Sequence, residues 1–407
     1  MQHLILKKVD HFIENEKFLI SGSKSISQRA LIINDLMNFQ GEIQNLSDSS
    51  DTFHMTNCLS SIHSVLDVGN AGTTLRFLIP FFALKNKEVV LTGDSYLFNR
   101  PITPLIHYLN NLGANISKFN NKIYIRKGNF KGGDLFVKID KTSQFISALL
   151  LIAPYLDGGL KLNFSHNPHS YSYILMTLKM MNYCGVDVSE RPKCIIVPNT
   201  KYIQPYLKIE SDWSSASYLY LSFLFSKLQC IEIATFYNNS FQPDSILVSF
   251  FTICGINTFI DSNVLTLRKN NNIIIPNKID WDFSNNPDLS LTVFVVCVGL
   301  RIDLCANGID TLFYKESNRI VAMQKELSKF NCQLSLCQGI VYLKNKKHIS
   351  KDQMISIDTY NDHRIALAFS PLVLLGYKLK VSQPNVIFKS YPNFFNDLVK
   401  FGVEIEK

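Results

Sequence analysis

The stretch GSKSISQR, residues 22–29, joins an apolar run of strand length at 18–20 to a helix-like run at 30–36. The order of strand, hydroxyl-rich turn and helix predicts an anion site, because N–H groups and the helix dipole favour negative charge at a helix start. Lys24 and Arg29 add full positive charges. The expected ligand is a phosphate or carboxylate, although a simple N-cap is the commoner meaning of such a turn. A nucleotide P-loop is excluded, since Gly-x-x-x-x-Gly-Lys-Ser/Thr is absent here.

Length and composition restrict the class of protein. A chain of 407 residues exceeds the size at which one core keeps growing, so two domains are expected. The net charge of +8 suits small anionic substrates, nucleic acid or a membrane surface, but no long basic run or RNA-binding signature is present. The longest uncharged apolar runs, 145–156 and 289–300, are shorter than a membrane span.

The cysteines and the start of the chain indicate a compartment. Nine cysteines form an odd, scattered set without a Cys-x-x-Cys pair, which suits buried thiols in a reducing cytosol better than disulfides or zinc. Residues 1–10 lack the apolar stretch and cleavage site of a signal peptide. We therefore expect a cytoplasmic protein.

Strand-length apolar runs alternate with longer periodic runs, which favours a mixed α/β fold. A Gly- or Ser-containing turn precedes a helix-like run at five places. These are Ser21–Arg29, Asp67–Arg76, Lys141–Ser147, Glu210–Ser217 and Asn286–Thr292. Five helix starts of similar chemistry indicate repeated units whose N-termini could converge on one anionic site. Because no low-complexity linker is visible, the domain junctions should be short crossings near Ser21 and Glu210.

Several polar residues in the first half of the chain lie at such helix starts. Gly72 would let a ligand approach the backbone closely, although a C-cap followed by an N-cap explains its segment equally well. Arg100 stands beside the rigid Pro101, where an arginine is usually a surface residue. Hydroxyl and amide groups that suit phosphate oxygens, or simple caps, belong to Thr142, Ser143, Gln144, Ser170 and Tyr173.

Charged residues dominate the second half. Asp288 heads the apolar run 289–300 and could be an N-cap or a general base. In the segment KESNR, Arg319 lies four residues after Lys315, so both are predicted to share a helix face with Glu316 close by. That arrangement is either ordinary surface ion pairing or an anion clamp that contains an acid/base group.

A last cluster is DTYNDHR, residues 358–364, which opens an apolar run at 365–375. Arg364 can face an anion while Asp362 and His363 support the turn. Metal binding is discounted, because His363 has no second histidine at helical spacing. Lys389 follows in a segment, 386–390, that is predicted to be a strand.

Taken in order, these segments resemble the enolpyruvyl transferase family. The matches GSKSISQRA, GNAGTTLRF, RPI, KES-x-R and NDHR run from residue 22 towards 392, and KES-x-R with NDHR is typical of the branch that acts on shikimate 3-phosphate. The resemblance implies an α/β (α+β) fold of two domains, each of three βαβαββ units with pseudo-threefold symmetry and helix N-termini facing the interdomain cleft. The first domain would comprise residues 1–21 and 211–407, and the second, on the shikimate 3-phosphate side, residues 22–210.

The resemblance also implies a reaction. The enolpyruvyl group of phosphoenolpyruvate would pass to the 5-hydroxyl of shikimate 3-phosphate through a tetrahedral intermediate, on the pathway to chorismate and aromatic amino acids. Two highly anionic substrates must meet, so preorganised cations are needed, whereas a metal or an organic cofactor is not. By resemblance, Asp288 would be the base and Glu316 the proton donor, with Lys315 as a second candidate for proton delivery.

The family's ligand contacts carry over onto matching positions. Shikimate 3-phosphate would be held by Lys24, Ser25, Arg29, Thr142, Ser143, Gln144, Ser170, Tyr173, Asp288, Thr311 and Lys315. Phosphoenolpyruvate would be held by Lys24, Gly72, Arg100, Gln144, Arg319, Arg364 and Lys389. The chain departs from the family pattern at Thr142, Thr311, Asn318 and Tyr171–Ser172, and in a short segment before Asp67.

Three alternatives stay open at this point. The sister enzyme that transfers enolpyruvate to UDP-N-acetylglucosamine typically uses a loop cysteine as acid, and no cysteine here lies in a matching motif. A basic nucleic-acid-binding protein would need its charge on one face and strongly salt-dependent binding. An inactive family member is disfavoured by the complete catalytic set. The resemblance implies a monomer whose partners are its two small substrates, without nucleic acid or membrane.

Overall fold

The structure, a computed structural model, describes residues 3–12, 16–138, 142–166, 168–346 and 350–407. Within these ranges the strands are β1 (His3–Lys8), β2 (Lys17–Leu19), β3 (Val65–Asp67), β4 (Val89–Thr92), β5 (Asn115–Phe119), β6 (Lys122–Arg126), β7 (Gly133–Val137), β8 (Leu160–Phe164), β9 (Ser189–Arg191), β10 (Cys194–Val197), β11 (Cys230–Ala234), β12 (Ile256–Asp261), β13 (Val264–Lys269), β14 (Lys278–Asp282), β15 (Asp303–Asn307), β16 (Cys332–Cys337), β17 (Ile340–Asn345), β18 (Met354–Ile357), β19 (Lys378–Ser382) and β20 (Val403–Glu406). The α-helices are α1 (Lys24–Leu36), α2 (Ser50–Ser60), α3 (Gly72–Leu84), α4 (Thr103–Asn111), α5 (Gln144–Ile152), α6 (Tyr171–Tyr183), α7 (Trp213–Phe225), α8 (Leu247–Ile253), α9 (Ser290–Leu300), α10 (Arg319–Ser328), α11 (His363–Phe369) and α12 (Phe394–Lys400). In the part of the chain that is described, none of the helices is long and apolar enough to cross a membrane.

The contacts between residues divide the chain into two compact units. Unit 1 contains Met1–Ser21 and Glu210–Lys407, and unit 2 contains Gly22–Ile209. Glu210 therefore belongs to unit 1, whereas the sequence placed it at the end of the second domain. Its buried carboxylate accepts hydrogen bonds from the Trp213 indole at 3.0 Å and the Gln242 amide at 2.7 Å, both of unit 1.

The described residues form five four-stranded sheets that share one topology. Unit 1 holds the orders β18-β19-β1-β20, β12-β13-β11-β2 and β14-β15-β17-β16, and unit 2 holds β7-β8-β10-β9 and β3-β4-β6-β5. In each sheet one edge strand pairs in parallel with its neighbour and the remaining pairs are antiparallel, as a βαβαββ unit requires. The mixed α/β fold predicted from the sequence is confirmed.

The third repeat expected in unit 2 is reduced. Its helices α1 and α2 are present, but among the residues that the structure describes its strands are represented by one isolated parallel bridge between Gln44 and Lys208. Between the end of α2 at Ser60 and the start of β3 at Val65 lie only residues 61–64. That segment is too short for two paired strands and a turn. The short segment before Asp67, noted in the sequence, is therefore a missing hairpin.

The five predicted helix starts all begin helices. They lead into α1, α3, α5, α7 and α9. Ser23 caps α1 by accepting from the Ile26 N–H, and Asp212 caps α7 by accepting from the Ser215 N–H at 2.8 Å. Lys141, at the head of the third segment, lies outside the described residues. Turn chemistry at these positions was thus a sound guide to where the helices begin.

Two local predictions were wrong. Of the two roles left open for Asp288, N-cap or general base, the structure excludes the N-cap. Lys389 ends a 3-10 helix, Pro384–Lys389, rather than lying on a strand, because the proline ring fixes φ and removes an N–H donor. Lys315 and Arg319 share no helix face, since Asn318 caps α10 and the helix begins only at Arg319. Asp288 lies in a short 3-10 turn, Pro287–Leu289, ahead of α9 and does not cap that helix.

Candidate functional site

Arg319 is the centre of a buried charge cluster in unit 1. The side chain is only 1% exposed. Its guanidinium donates from Nε to Asp362 at 2.8 Å, from Nη1 to Asp288 at 3.1 Å and from Nη2 to Glu316 at 2.9 Å. One cation therefore holds together three carboxylates from three separate turns, in charge-assisted hydrogen bonds of good length.

Three further cations complete this set, which we call the unit 1 cluster. The Lys315 ammonium lies 3.1 Å from Asp288 Oδ1, and Arg364 Nη2 lies 3.0 Å from Asp288 Oδ2. The Lys389 ammonium lies 3.4 Å from a carboxylate oxygen of Glu316. The four cations exceed the three carboxylates by one positive charge. The cluster therefore combines a preference for anions with acid/base groups.

Electrostatics fix the protonation states at the centre of the cluster. Burial on its own raises the pKa of Asp288, but the charges of Arg364, Lys315 and Arg319 outweigh it and hold that pKa well below its usual range. Burial lowers the pKa of Arg319, yet the neighbouring carboxylates, Asp362 first, raise it above its ordinary value. At neutral pH Asp288 is thus an anion beside a permanent cation.

The sequence missed how important Asp362 is to this cluster. Besides binding Arg319, Asp362 accepts two further hydrogen bonds. Its Oδ2 accepts from the Ser317 hydroxyl at 3.0 Å, and its Oδ1 accepts from the backbone N–H of Arg364 at 3.1 Å. The carboxylate is fully buried. We predicted only that it supports its turn. The sequence signal for the pairing of Asp362 with Arg319 was the acidic turn that carries Asp362. Arg319 lies 43 residues away in the chain, so the pairing could not be read from neighbouring residues.

Arg29 is the most buried cation among the described residues of unit 2. It is 3% exposed and lies over the Phe77 ring. Its guanidinium donates to the Thr177 hydroxyl at 2.8 Å, the Ser25 carbonyl at 2.8 Å, the Ser147 hydroxyl at 3.2 Å and the Tyr173 carbonyl at 3.3 Å. All four acceptors are neutral. Burial lowers the pKa of Arg29 to about 9, so it is still a cation at neutral pH.

Lys24, on the same helix, has a charged partner. Its ammonium lies 3.3 Å from the Asp51 carboxylate, and the two side chains are 16% and 6% exposed. Asp51 lies in the first turn of α2. Sequence reasoning did not link Asp51 to Lys24. The backbone oxygen of Asp51 also accepts from the Gln28 amide, which ties α2 to α1.

The start of α3 gathers the second anion-binding turn. A Cβ added at Gly72 would lie 2.7 Å from a guanidinium nitrogen of Arg100 and 2.7 Å from one of Arg76. The Gln144 carbonyl accepts from Arg76 at 2.8 Å, and its amide donates to the Thr73 hydroxyl at 3.1 Å. The structure thus brings Gly72, Arg100 and Gln144 together within unit 2, as an anion site requires.

The remaining predicted residues lie at helix starts or turns. The Thr142 hydroxyl accepts from the Gln144 N–H at 3.2 Å. Ser143 and Ser170 are buried at the N-termini of α5 and α6. Ser170 has a positive φ of 55°, in the left-handed region. Thr311 lies in unit 1, where its buried hydroxyl has no hydrogen-bond partner among the residues that the structure describes.

Comparison with known proteins gives one consistent family. The sequence profile described as EPSP synthase (3-phosphoshikimate 1-carboxyvinyltransferase) matches residues 15–65 and 60–398. A 3-phosphoshikimate 1-carboxyvinyltransferase of Bacteroides fragilis (strain YCH46) is 33% identical over 393 residues, 95% of each chain. One from Buchnera aphidicola subsp. Cinara cedri (strain Cc) is 31% identical over 428 residues, 97% of this chain and 96% of that protein. The solved structure of EPSP synthase from Acinetobacter baumannii covers 100% of both chains with a TM-score of 0.73 at 17% identity, which extends the similarity to the whole fold.

Proposed function

This chain belongs to the EPSP synthase (3-phosphoshikimate 1-carboxyvinyltransferase) family, and we propose that its unit 1 cluster carries the chemistry of that reaction. The enzyme is a transferase of the shikimate pathway, which serves aromatic amino acid biosynthesis. The enolpyruvyl group of phosphoenolpyruvate passes to the 5-hydroxyl of shikimate 3-phosphate and phosphate is released. The observation that carries the assignment is the meeting of Asp288 and Glu316 on the single buried guanidinium of Arg319.

The substrates are assigned to matching residues. Shikimate 3-phosphate contacts Lys24, Ser25, Arg29, Thr142, Ser143, Gln144, Ser170, Tyr173, Asp288, Thr311 and Lys315. Phosphoenolpyruvate contacts Lys24, Gly72, Arg100, Gln144, Arg319, Arg364 and Lys389. The convergence of Gly72, Arg100 and Gln144 supports this, because a bare backbone flanked by guanidinium groups suits a phosphorylated acid.

The reaction proceeds by addition and elimination. Asp288 accepts the proton of the shikimate 5-hydroxyl as the hydroxyl oxygen forms a bond with C2 of phosphoenolpyruvate. Glu316, which is protonated at the start of this step, delivers its proton to C3 and becomes a carboxylate. The product of this step is a tetrahedral ketal phosphate. The C2–phosphate bond then breaks, Glu316 removes a proton from the new methyl group, and the double bond is restored. Lys315 is a second candidate for protonating the leaving side.

The low pKa of Asp288 gives this scheme a condition. A carboxylate whose pKa is far below its usual range is a weak base, so Asp288 needs its cations to be drawn elsewhere before it can accept a proton efficiently. Lys315 and Arg364, two of those cations, are also assigned to the anionic substrates. Substrate binding therefore raises the basicity of Asp288 at the moment when a base is needed.

The decisive experiment measures phosphate release from phosphoenolpyruvate. Shikimate 3-phosphate and UDP-N-acetylglucosamine are offered separately and then together as acceptors. We expect release with shikimate 3-phosphate and no effect of the sugar nucleotide. Release with UDP-N-acetylglucosamine alone would replace the proposed acceptor by that of the sister enzyme. Strongly salt-dependent binding to DNA or RNA without any release would favour the nucleic-acid-binding alternative.

We also propose that the enzyme is a cytoplasmic monomer that works without metal or organic cofactor. The chemistry supports this, because preorganised cations already offset the repulsion between the two substrates. All nine cysteines are free thiols, which fits a reducing compartment. Gel filtration with light scattering tests whether the enzyme is a monomer. An assay in excess chelator tests whether it works without a metal. A dimer, or activity lost to the chelator, would contradict the proposal.

A further inference from the structure

Arg364 is held on one side by helix α7. It is 6% exposed, and its Nη1 donates to the Tyr218 hydroxyl at 3.2 Å while its Nη2 donates to the Ser214 hydroxyl at 3.3 Å. The same Nη2 donates to Asp288 Oδ2 at 3.0 Å. Burial raises the pKa of Tyr218 to about 12, so its phenol stays neutral. Two neutral hydroxyls, four residues apart on one helix, thus face the guanidinium that Asp288 holds from elsewhere.

Ser214 has a second partner behind Arg364. Its hydroxyl donates to the carboxylate of Asp244, which is 3% exposed and lies on a 3-10 helix, Pro243–Ile246. A hydroxyl carries one hydrogen, and an ionised carboxylate can only accept. With its hydrogen committed to Asp244, Ser214 can offer Arg364 only its lone pairs. Asp244 therefore determines that Ser214 acts as an acceptor towards the guanidinium.

The segment that carries Asp244 is also tied to the turn that carries Asp288. The backbone carbonyl of Pro243 accepts from the side-chain amide of Asn286 at 2.7 Å. Asn286 lies two residues before Asp288 in the chain. Hydrogen bonds thus connect Asp244 to Ser214, Ser214 to Arg364 and Arg364 to Asp288. The backbone from Asp288 to Asn286, and the hydrogen bond from Asn286 to Pro243, close the ring. A ring of this kind restricts the guanidinium more than any one of its contacts would alone.

We infer that Asp244 is a positioning residue for phosphoenolpyruvate binding, acting on Arg364 through the fixed hydroxyl of Ser214. The inference rests on the proposed function, because it takes Arg364 as a ligand of phosphoenolpyruvate. Asp244 itself touches no substrate. Its effect is on the direction in which Arg364 presents its N–H groups, and so on the affinity for the anionic donor substrate more than for the acceptor.

Asp244→Asn tests this, because an amide can donate to Ser214 and so turn its hydrogen towards Arg364. We expect the KM for phosphoenolpyruvate to rise about tenfold, the loss that follows from spoiling a hydrogen bond to a charged group. The KM for shikimate 3-phosphate should stay within about twofold of its original value. Asp303→Asn is the matched control, since this carboxylate of unit 1 accepts from the Asn345 N–H on β17 and should leave both KM values unchanged.

A double-mutant cycle separates positioning from mere support of the fold. If Asp244 acts through Ser214, Asp244→Asn should add little to the KM for phosphoenolpyruvate once Ser214→Ala is present. Ser214→Thr, which retains the hydroxyl, should keep that KM low and remains informative if Asp244→Asn fails to fold. Additive effects, or an unchanged KM in Asp244→Asn, would overturn the inference while leaving the function intact. An unmodified enzyme that releases no phosphate would overturn both.

Discussion

Unit 1 and unit 2 each bury an arginine almost completely, but they compensate its charge in different ways. Arg319 is 1% exposed and lies among three carboxylates, which raise its pKa above the ordinary value despite burial. Arg29 is 3% exposed and lies among four neutral oxygens, and burial lowers its pKa to about 9. Dipoles alone do not offset the cost of burying an ion as fully as opposite charges do.

The difference separates two kinds of site. In unit 1 the carboxylates that neutralise Arg319 are themselves groups that can move protons, so charge compensation and acid/base chemistry come from the same residues. In unit 2 the charge of Arg29 is stabilised without being neutralised, which leaves it to attract an anion. We therefore expect substitution of the acid/base groups of unit 1 to lower turnover, and substitution of the substrate-binding cations of either unit to lower affinity.

The largest effect is expected for Glu316→Gln. The amide keeps the size of the side chain and can still accept from Arg319, but it cannot give and take a proton. Turnover should fall by about 10²–10⁴-fold, the usual contribution of a general acid/base, while both substrates still bind. Stopped-flow phosphate release measures the turnover, and calorimetry measures binding.

Glu232→Gln is the control for that substitution, since Glu232 lies on β11 with its side chain 50% exposed. It should have the turnover of the unmodified enzyme. Near-normal turnover in Glu316→Gln would remove this residue from the chemistry. It would also mean that charge compensation and acid/base chemistry in unit 1 do not come from the same carboxylates.

The next largest effect concerns stability. Arg319→Met leaves the buried Asp362 and the partly buried Asp288 and Glu316 without their shared cation and should cost about 3–5 kcal/mol of the free energy of unfolding. Arg29→Met leaves only neutral hydroxyls and carbonyls and should cost about 1–3 kcal/mol. The chain contains two tryptophans, Trp213 and Trp281, and both lie in unit 1.

Tryptophan fluorescence in urea therefore follows unit 1, and amide exchange of α1, α5 and α6 follows unit 2. Each substitution should act mainly on the unit that contains it. An equal loss for the two arginines would mean that the carboxylates of unit 1 contribute no more than neutral oxygens do. The difference drawn between Arg319 among carboxylates and Arg29 among neutral oxygens would then have no effect on stability.

The sequence was a good guide to where helices begin. Turn residues at positions such as Ser23 and Asp212 marked helix starts, because capping depends on neighbours in the chain. The convergence of Asp362 on Arg319 was not predictable in this way, since it links turns 43 residues apart. The helix face expected for Lys315 and Arg319 failed for a local reason, because Asn318 caps the helix after Lys315.

Resemblance supplied what local signals could not, but it hid one difference. Matching motifs in family order pointed to the set of charged residues that the structure collects in unit 1. The same reasoning predicted three βαβαββ repeats in each domain, whereas in the described part of unit 2 one repeat has its two helices and, in place of paired strands, a bridge between Gln44 and Lys208. Segment length was the better evidence there, because four residues cannot form a hairpin.

A smaller effect is expected from acid. The pKa of Asp288 is depressed in the folded protein, so its contribution to stability is present above the pKa of the unfolded chain, about 4. As the pH falls below that value, the unfolded chain binds a proton before the folded protein does, and the contribution is lost. The stability difference between the unmodified enzyme and Asp288→Asn should therefore shrink from pH 5 towards pH 3.

Urea unfolding followed by tryptophan fluorescence measures this difference in unit 1. A difference for Asp288→Asn that grows on acidification would mean that the cations do not hold Asp288 in its charged form. The balanced electrostatics assigned to unit 1 would then be wrong.

The smallest effect sharpens the comparison from the side of unit 2. A methyl group added at Gly72 would lie 2.7 Å from guanidinium nitrogens of Arg100 and Arg76, which are the far ends of flexible side chains. These can move by a few tenths of an ångström, so Gly72→Ala should raise the KM for phosphoenolpyruvate about threefold and leave stability nearly unchanged. By contrast, a methyl group at Gly22 would meet the Asn45 backbone oxygen at 1.7 Å, and Gly22→Ala should cost about 1–3 kcal/mol. If Gly72→Ala proved as destabilising as Gly22→Ala, the arginines would be rigid parts of the fold, and unit 2 would resemble unit 1 in how tightly it holds its cations.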